Sequence, residues 1–157
     1  MNYNIRPAVE DDLSALLALY YAYHEDLTAF GMNYDINREQ VERVLSVRIR
    51  SKLILTLVAE DENGALVGFV FCSILRLSNE YLCEGSSSIG YINDLYVAPQ
   101  ARRVHLADRL YSAAEDWLRE NGIPACEYQI FNSNEACRSL VSAHGPKPIG
   151  TLYYKVL

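Results

Sequence analysis

A chain of 157 residues, half of them hydrophobic and 22% charged, has single-domain length and enough apolar surface for one core. This composition excludes disorder and collagen-like repeats. A net charge of −6 counts against nucleic acid as a partner, because phosphate binding rests on cationic neutralisation. Twelve tyrosines point to rings with a polar end lining a cleft or an interface.

Cys72, Cys83, Cys126 and Cys137 show neither a C-x-x-C pair nor zinc-ligand spacing, so they read as free thiols of a reducing compartment and imply no metal. Met1 to Pro7 has no signal-peptide apolar region. The longest apolar run, Ala65 to Leu75, is about half a membrane span. The expectation is a cytoplasmic protein without a membrane partner.

In chain order, Tyr3 to Pro7 reads as a short strand closed by a proline that cannot donate to a central ladder. Glu10, Asp11 and Asp12 sit in the first turn of a helix whose apolar face is Leu13, Leu16, Leu17 and Tyr20. Phe30 to Asn33 breaks that pattern. Asn37 with Gln40 predicts a capping box for a second helix through Val41, Val44, Leu45 and Ile49. The basic residues of this helix, Arg48 among them, read as a solvated face. Leu53 to Ala59 and Ala65 to Leu77 predict a hairpin about the turn Asp61 to Gly64. After a polar loop, Ile89 to Val97 is the next strand, closed by Ala98 and Pro99. Arg103 to Glu120 predicts a helix with Leu106, Leu110, Ala114, Trp117 and Leu118 on one side, ended by Asn121, Gly122 and Pro124. Ala125 to Phe131 reads as a strand, Asn134 caps a short helix through Val141, and Ile149 to Leu157 reads as a last strand. The order β-α-α-β-β-β-α-β-α-β, without repeats or linkers, predicts one α/β domain over 1–157.

The segment from Tyr91 to Arg109 runs from a strand through a basic loop into a helix. Unpaired N–H groups at that helix N-terminus, with Arg102 and Arg103 beside them, suit an anion such as phosphate. An ordinary turn with solvated arginines is the alternative.

With these residues in place, the chain resembles the GNAT superfamily of N-acetyltransferases over nearly its whole length. Asp94 to Ala107 matches the superfamily's acetyl-CoA pyrophosphate loop, Arg/Gln-x-x-Gly-x-Gly/Ala, with Arg102 at the first position and Ala107 at the last. The resemblance implies a mixed, mainly antiparallel sheet with helices on both faces, acetyl-CoA as cofactor, and a primary amine of a small molecule or peptide as acceptor. It implies cofactor contacts at Leu95, Tyr96 and Val97 in an opening between two strands, at Arg102, Arg103, Val104, His105, Leu106 and Ala107, and at Asn134. A backbone N–H near Tyr96 would polarise the thioester carbonyl. Dimers are frequent in families of this kind.

Two positions depart from the pattern. His105 stands where the superfamily usually has a glycine that lets backbone approach phosphate closely. Val141 stands seven residues after Asn134, where a tyrosine often protonates the leaving thiolate. Tyr128, on the neighbouring strand, is the candidate proton donor, with a structural tyrosine as the alternative. Asp94 is the candidate general base, since a carboxylate within hydrogen-bond reach can take an amine proton. The superfamily's polyamine acetyltransferases carry Glu-Asp before an apolar pair, and here Asn93 replaces the first carboxylate. Tyr23, Glu25 and Asp26 form the expected acceptor side, in a segment of residues 1–36 that holds six acids against one Arg. The competing function is a catalytically degenerate acyl-CoA-binding or protein-interaction domain that keeps the fold.

Overall fold

The computed structural model describes residues 2–157. Five strands among them form one sheet in chain order: β1 (Asn4–Pro7), β2 (Ile54–Glu60), β3 (Leu66–Arg76), β4 (Ser88–Val97) and β5 (Cys126–Glu127). β1 to β4 are antiparallel neighbours, and β5 joins β4 in parallel. Helices α1 (Leu13–Ala29) and α2 (Val41–Arg50) cover one face of the sheet; α3 (Leu106–Glu120) and α4 (Glu135–Ser142) cover the other. The expected sheet class and layering are therefore present.

β3 is the centre of both layers. Phe69 and Phe71 face α1 and α2, packed with Leu16, Leu45 and Val58. Val70 and Cys72 face α3, packed with Leu106, Leu110, Ala114 and Leu118. Each large side chain sealed this way contributes roughly 1.5–3 kcal/mol. Burial also pushes the Cys72 thiol up to about 12, so it is an inert packing group. The hairpin forms as expected: Asp61 Oδ1 accepts from the N–H of Asn63 and of Ala65, both at 2.9 Å, and closes the turn.

One irregularity in β4 positions everything that follows. Phe71 pairs with Asp94 but Cys72 pairs with Ile92, which leaves Asn93 as an extra residue, a β-bulge. Its effect can be checked by parity. The N–H of Gly90 points toward β5, bonding Ala125 O, while the N–H of Ala98 points toward β3, bonding Val67 O. An unbroken strand would aim both the same way, since they are an even number of residues apart. The side chains switch too: Ile92 and Val97 both pack on the α3 side, whereas Tyr96 packs on the α1 side.

Four expectations need correction. α3 begins at Leu106 and not at Arg103, because Arg103 and His105 are held at φ of 65° and 59°, outside the helical region. The capping box of α2 does not form; the Asn37 side chain accepts instead from the N–H of Glu39, two residues on. β5 is two residues long, since the chain leaves β4 after Glu127 and opens a gap beside Ile92 to Val97. Residues 149–157 are not a strand: no ladder reaches them, and the approach carries Pro146 and Pro148, which have no N–H to offer one. Ile149, Leu152, Tyr153 and Val156 are exposed there, and Tyr154 packs edge-on against Tyr34.

The entry to α1 is anchored by charge. Arg6 on β1 grips both oxygens of buried Asp12 at 2.7 and 2.9 Å and also reaches Glu60 on β2. Bonding to Arg6, opposed by desolvation and helped by the N–H of Val9, holds the Asp12 carboxyl below its ordinary value. A carboxyl lowered on folding stabilises fully above its unfolded pKa, and the contribution is lost as pH falls through the folded one. Asp12→Asn should therefore lie furthest below the wild type at neutral pH, with the gap closing below about pH 4. Urea unfolding across that range measures it, and a gap that stays constant into strong acid would refute the assignment.

Candidate active site

A cleft of about 500 Å³ runs along β4 at Leu95 to Val97, walled by α1 and α4 and ending at the N-terminus of α3. Leu95, Tyr96, Val97, Arg102, Arg103, His105, Leu106, Ala107 and Asn134 line it, together with Tyr23 and Asp26 from α1. The structure thus brings together most of the residues expected at the cofactor. Val104 does not line the cleft and is 48% exposed. Glu25 is exposed on the outer side of α1.

The bulge decides which main-chain groups face the cleft. Ala98 N–H bonds β3, and a Cβ added to Gly68 on β3 would lie 2.9 Å from the Tyr96 carbonyl oxygen. Both fix the backbone of Tyr96 toward β3. By alternation the N–H and C=O groups of Leu95 and Val97 face the opening. The main-chain donors near Tyr96 that face the opening are accordingly those of its neighbours, and Tyr96 lines the cleft with its ring.

At the far end, α3 starts without a side-chain cap; its first intrahelical bond runs from Arg109 N–H to His105 O. The N–H groups of Leu106, Ala107 and Asp108 precede that bond, as the open first turn of an anion site requires. Positive φ at Arg103 and His105 explains why a glycine suits this loop, and histidine is among the side chains that tolerate the left-handed region best. Arg102 behaves differently from expectation. Its Nε donates to Val97 O at 2.8 Å and its Nη2 meets Asp26 at 2.7 Å, so the guanidinium ties the loop to α1. Asn134 accepts from Cys137 N–H at 3.0 Å and caps α4.

Asp94 lies beside the cleft on the α1 face, where the bulge directs it. Oδ1 accepts from the Tyr23 hydroxyl at 3.0 Å and Oδ2 from Arg48 Nη1 at 2.8 Å. Arg48 also sits 4.6 Å over the Phe71 ring, a cation–π contact. Read from sequence as part of a solvated face, Arg48 is a residue the pattern did not single out. Its spacing, seven after Val41 and three after Leu45, does put it on the buried stripe of α2. Burial first, then the charge of Asp94, pushes the Tyr23 phenol well above its ordinary value. Burial likewise raises the Cys137 thiol above its ordinary value.

Tyr128 is not at this cleft. It lines a second cavity of about 390 Å³ with Tyr111, Cys126 and His144, behind β5. Its ring stands edge-on to Tyr111, and its hydroxyl is sealed from solvent on that side of the sheet, away from the cleft. Val141 is buried in the core on α4.

Comparison with known proteins agrees with this geometry. Residues 15–152 match the model of the acetyltransferase (GNAT) family. The uncharacterised N-acetyltransferase YhfO of Bacillus subtilis (strain 168) is 31% identical over 142 residues, which is 90% of this chain and 88% of that one. Among solved structures, the aminoglycoside antibiotic 6'-N-acetyltransferase AAC(6')-Ih of Acinetobacter baumannii superposes with a TM-score of 0.77 at 19% identity, covering 99% of each chain. The predicted acetyltransferase of Clostridium acetobutylicum, solved with acetyl-CoA, superposes with a TM-score of 0.79 at 17% identity, covering 99% of this chain and 96% of that one. At such identities the superpositions establish the fold.

His105 in the left-handed region costs roughly 1 kcal/mol that a glycine would not incur. His105→Gly should raise the thermal midpoint slightly and leave acetyl-CoA affinity intact, since the donors are main-chain groups. Scanning calorimetry and isothermal titration check both halves; lost affinity would make the imidazole a ligand.

Proposed function

The chain belongs to the acetyltransferase (GNAT) family, and from that premise we propose that it moves the acetyl group of acetyl-CoA to a primary amine of a small molecule or peptide by direct nitrogen attack. The observation that carries this reading is the path of one cleft from the open N-terminus of α3 along the β4 edge at Val97 and Leu95 to Tyr23, whose hydroxyl rests on the Asp94 carboxylate. In that reading the N–H groups opening α3, with Arg103, hold the diphosphate. The main chain of Leu95 and Val97 pairs with the pantetheine arm and polarises the thioester carbonyl. Asn134 and the walls from Tyr96 to Ala107 complete the cofactor side.

Asp94 is the general base, and Arg48 is its positioning residue. A carboxylate already bonded to a guanidinium is a poor base for a free ammonium, so the amine enters neutral. Once nitrogen has attacked, its N–H is far more acidic, and Asp94 can take that proton. Tyr23 and Asp26 stand on the acceptor side, where Asp26 is already paired with Arg102, while Glu25 faces outward from α1 and does not line the cleft. The aminoglycoside 6'-N-acetyltransferase among the structures this chain superposes on supports the acceptor class. Four unpaired thiols support a cytoplasmic setting, and the exposed apolar residues of 149–157 support self-association as a homodimer.

Asp94→Asn should lower turnover by about 10²-fold or more while acetyl-CoA affinity changes little. Thiol release with a panel of primary amines, followed across pH, measures it. The wild-type rate should rise with the fraction of neutral amine, tracking each acceptor's own pKa. Binding without turnover by any amine would favour the degenerate binding domain, and wild-type turnover by the variant would remove Asp94 as the base.

A further inference from the structure

The reaction must also deliver a proton to the departing sulfur, and the family's usual donor position holds the buried apolar Val141. Tyr128 faces the other cavity, Cys137 lines the cleft from α4 with no hydrogen-bonded group among the described residues beside its thiol to relay a proton, and His105 lies at the head of α3. Two tyrosines line the cleft, Tyr23 and Tyr96, and the Tyr23 hydroxyl rests on the Asp94 carboxylate.

We propose that Asp94 and Tyr23 form one proton circuit, with Asp94 receiving the proton of the attacking nitrogen and Tyr23 giving its own to the CoA sulfur. This rests on the reading of Asp94 as base. At rest the phenol donates to ionised Asp94 at 3.0 Å, so its proton is turned away from the cleft. Protonating Asp94 reverses that hydrogen bond: the carboxyl O–H now donates to the phenol oxygen, and the phenol proton is released toward the sulfur. The carbon–nitrogen bond forms and the carbon–sulfur bond breaks. The nitrogen's proton passes to Asp94, the Asp94 proton passes to the Tyr23 oxygen, and the Tyr23 proton passes to sulfur. Asp94 ends ionised and Tyr23 ends neutral, as they began. The net transfer is from a carboxylic acid to a thiolate, which is downhill.

The surroundings suit this role. Arg48 fixes Asp94 Oδ2 at 2.8 Å, leaving Oδ1 for the phenol. The Tyr23 ring is locked between Tyr20, Phe69 and Tyr96 at centroid distances of 5.6–5.9 Å, so its hydroxyl has little freedom to wander. Burial and the Asp94 charge raise the phenol above its ordinary value, which favours its protonated, donating form.

A hydrogen-bond donor for the sulfur must favour bound thiolate over bound thiol, which can be read without an acceptor amine. With Asp94 ionised the phenol proton stays turned to the carboxylate, whereas Asp94→Asn, whose amide N–H donates to the phenol oxygen as a protonated carboxyl would, frees it. Calorimetric titration of Asp94→Asn and of the double variant Asp94→Asn with Tyr23→Phe, using CoA and desulfo-CoA from about pH 6 to about pH 10, reads this preference. Asp94→Asn should bind CoA about ten- to a hundredfold tighter above the thiol's pKa, the strength of a charge-assisted hydrogen bond. The double variant should lose that gain while binding desulfo-CoA as Asp94→Asn does at every pH. Equal pH dependence in the two proteins would overturn the circuit. Turnover then separates the two readings: an active Tyr23→Phe beside an inactive Asp94→Asn leaves the base and removes the acid. If CoA, acetyl-CoA and desulfo-CoA all fail to bind wild type, the circuit falls together with the acetyltransferase reading.

Discussion

The extra residue at Asn93 is the constraint on which the site depends. A strand has period two, so one added residue moves everything beyond it to the opposite face and edge. Before the bulge, Gly90 bonds β5 and Ile92 packs under α3. Beyond it, the edge facing β5 is presented by Leu95 and Val97, and Asp94 turns to α1 and α2. In an unbroken strand Asp94 would face the α3 core among Val70, Leu106 and Leu110, where an ionised carboxylate would have no partner. Ser73 stabilises the irregularity, its hydroxyl lying 2.6 Å from Asn93 Oδ1.

Charge pairing shapes what the cleft can hold. The chain carries a net −6, and three acids stand around the site: Asp94, Asp26 and Asp108. Each is engaged from a remote segment, Asp94 by Arg48 of α2, Asp26 by Arg102 of the loop, and Asp108 by His144 beyond α4. The first pair is the most enclosed, with side chains 20% and 15% exposed, and desolvation there is offset by close geometry and the Phe71 ring. Asp26 and Arg102 are more exposed and add little stability. What they provide is direction, since the same contact fixes the loop to α1.

The elements governed by local rules were legible in the sequence. The hairpin follows from Asp61 to Gly64 between β-rich runs, and α3 from its apolar stripe and its Asn121-Gly122 stop. The cleft side of the loop was legible too, because a strand running into a helix leaves main-chain donors in one place. What stayed hidden depends on contacts distant in sequence. No local pattern marks a bulge at Asn93, which exists only relative to β3. The partnership of Arg48 with Asp94 spans 46 residues, although its position on the Val41–Leu45 stripe was a usable sign. The β-rich run 149–157 shows the reverse error: propensity without a partner edge does not make a strand.

The loop at the head of α3 shows why side-chain identity and site chemistry can separate. Arg103 and His105 both hold left-handed backbone, an arrangement that persists only where the surroundings over-determine it. They do so from both ends. Arg102 clamps one side through Val97 O and Asp26, and Leu106, 1% exposed, is sealed into the core on the other. Arg102 thus serves to shape this loop, while the open donors at the head of α3 are N–H groups of the backbone. Those donors depend on the path of the chain and not on which side chain is attached to it. Histidine in place of glycine is therefore compatible with the path of the loop, and the exposed His105 adds its side chain to the lining of the cleft without closing the first turn of α3.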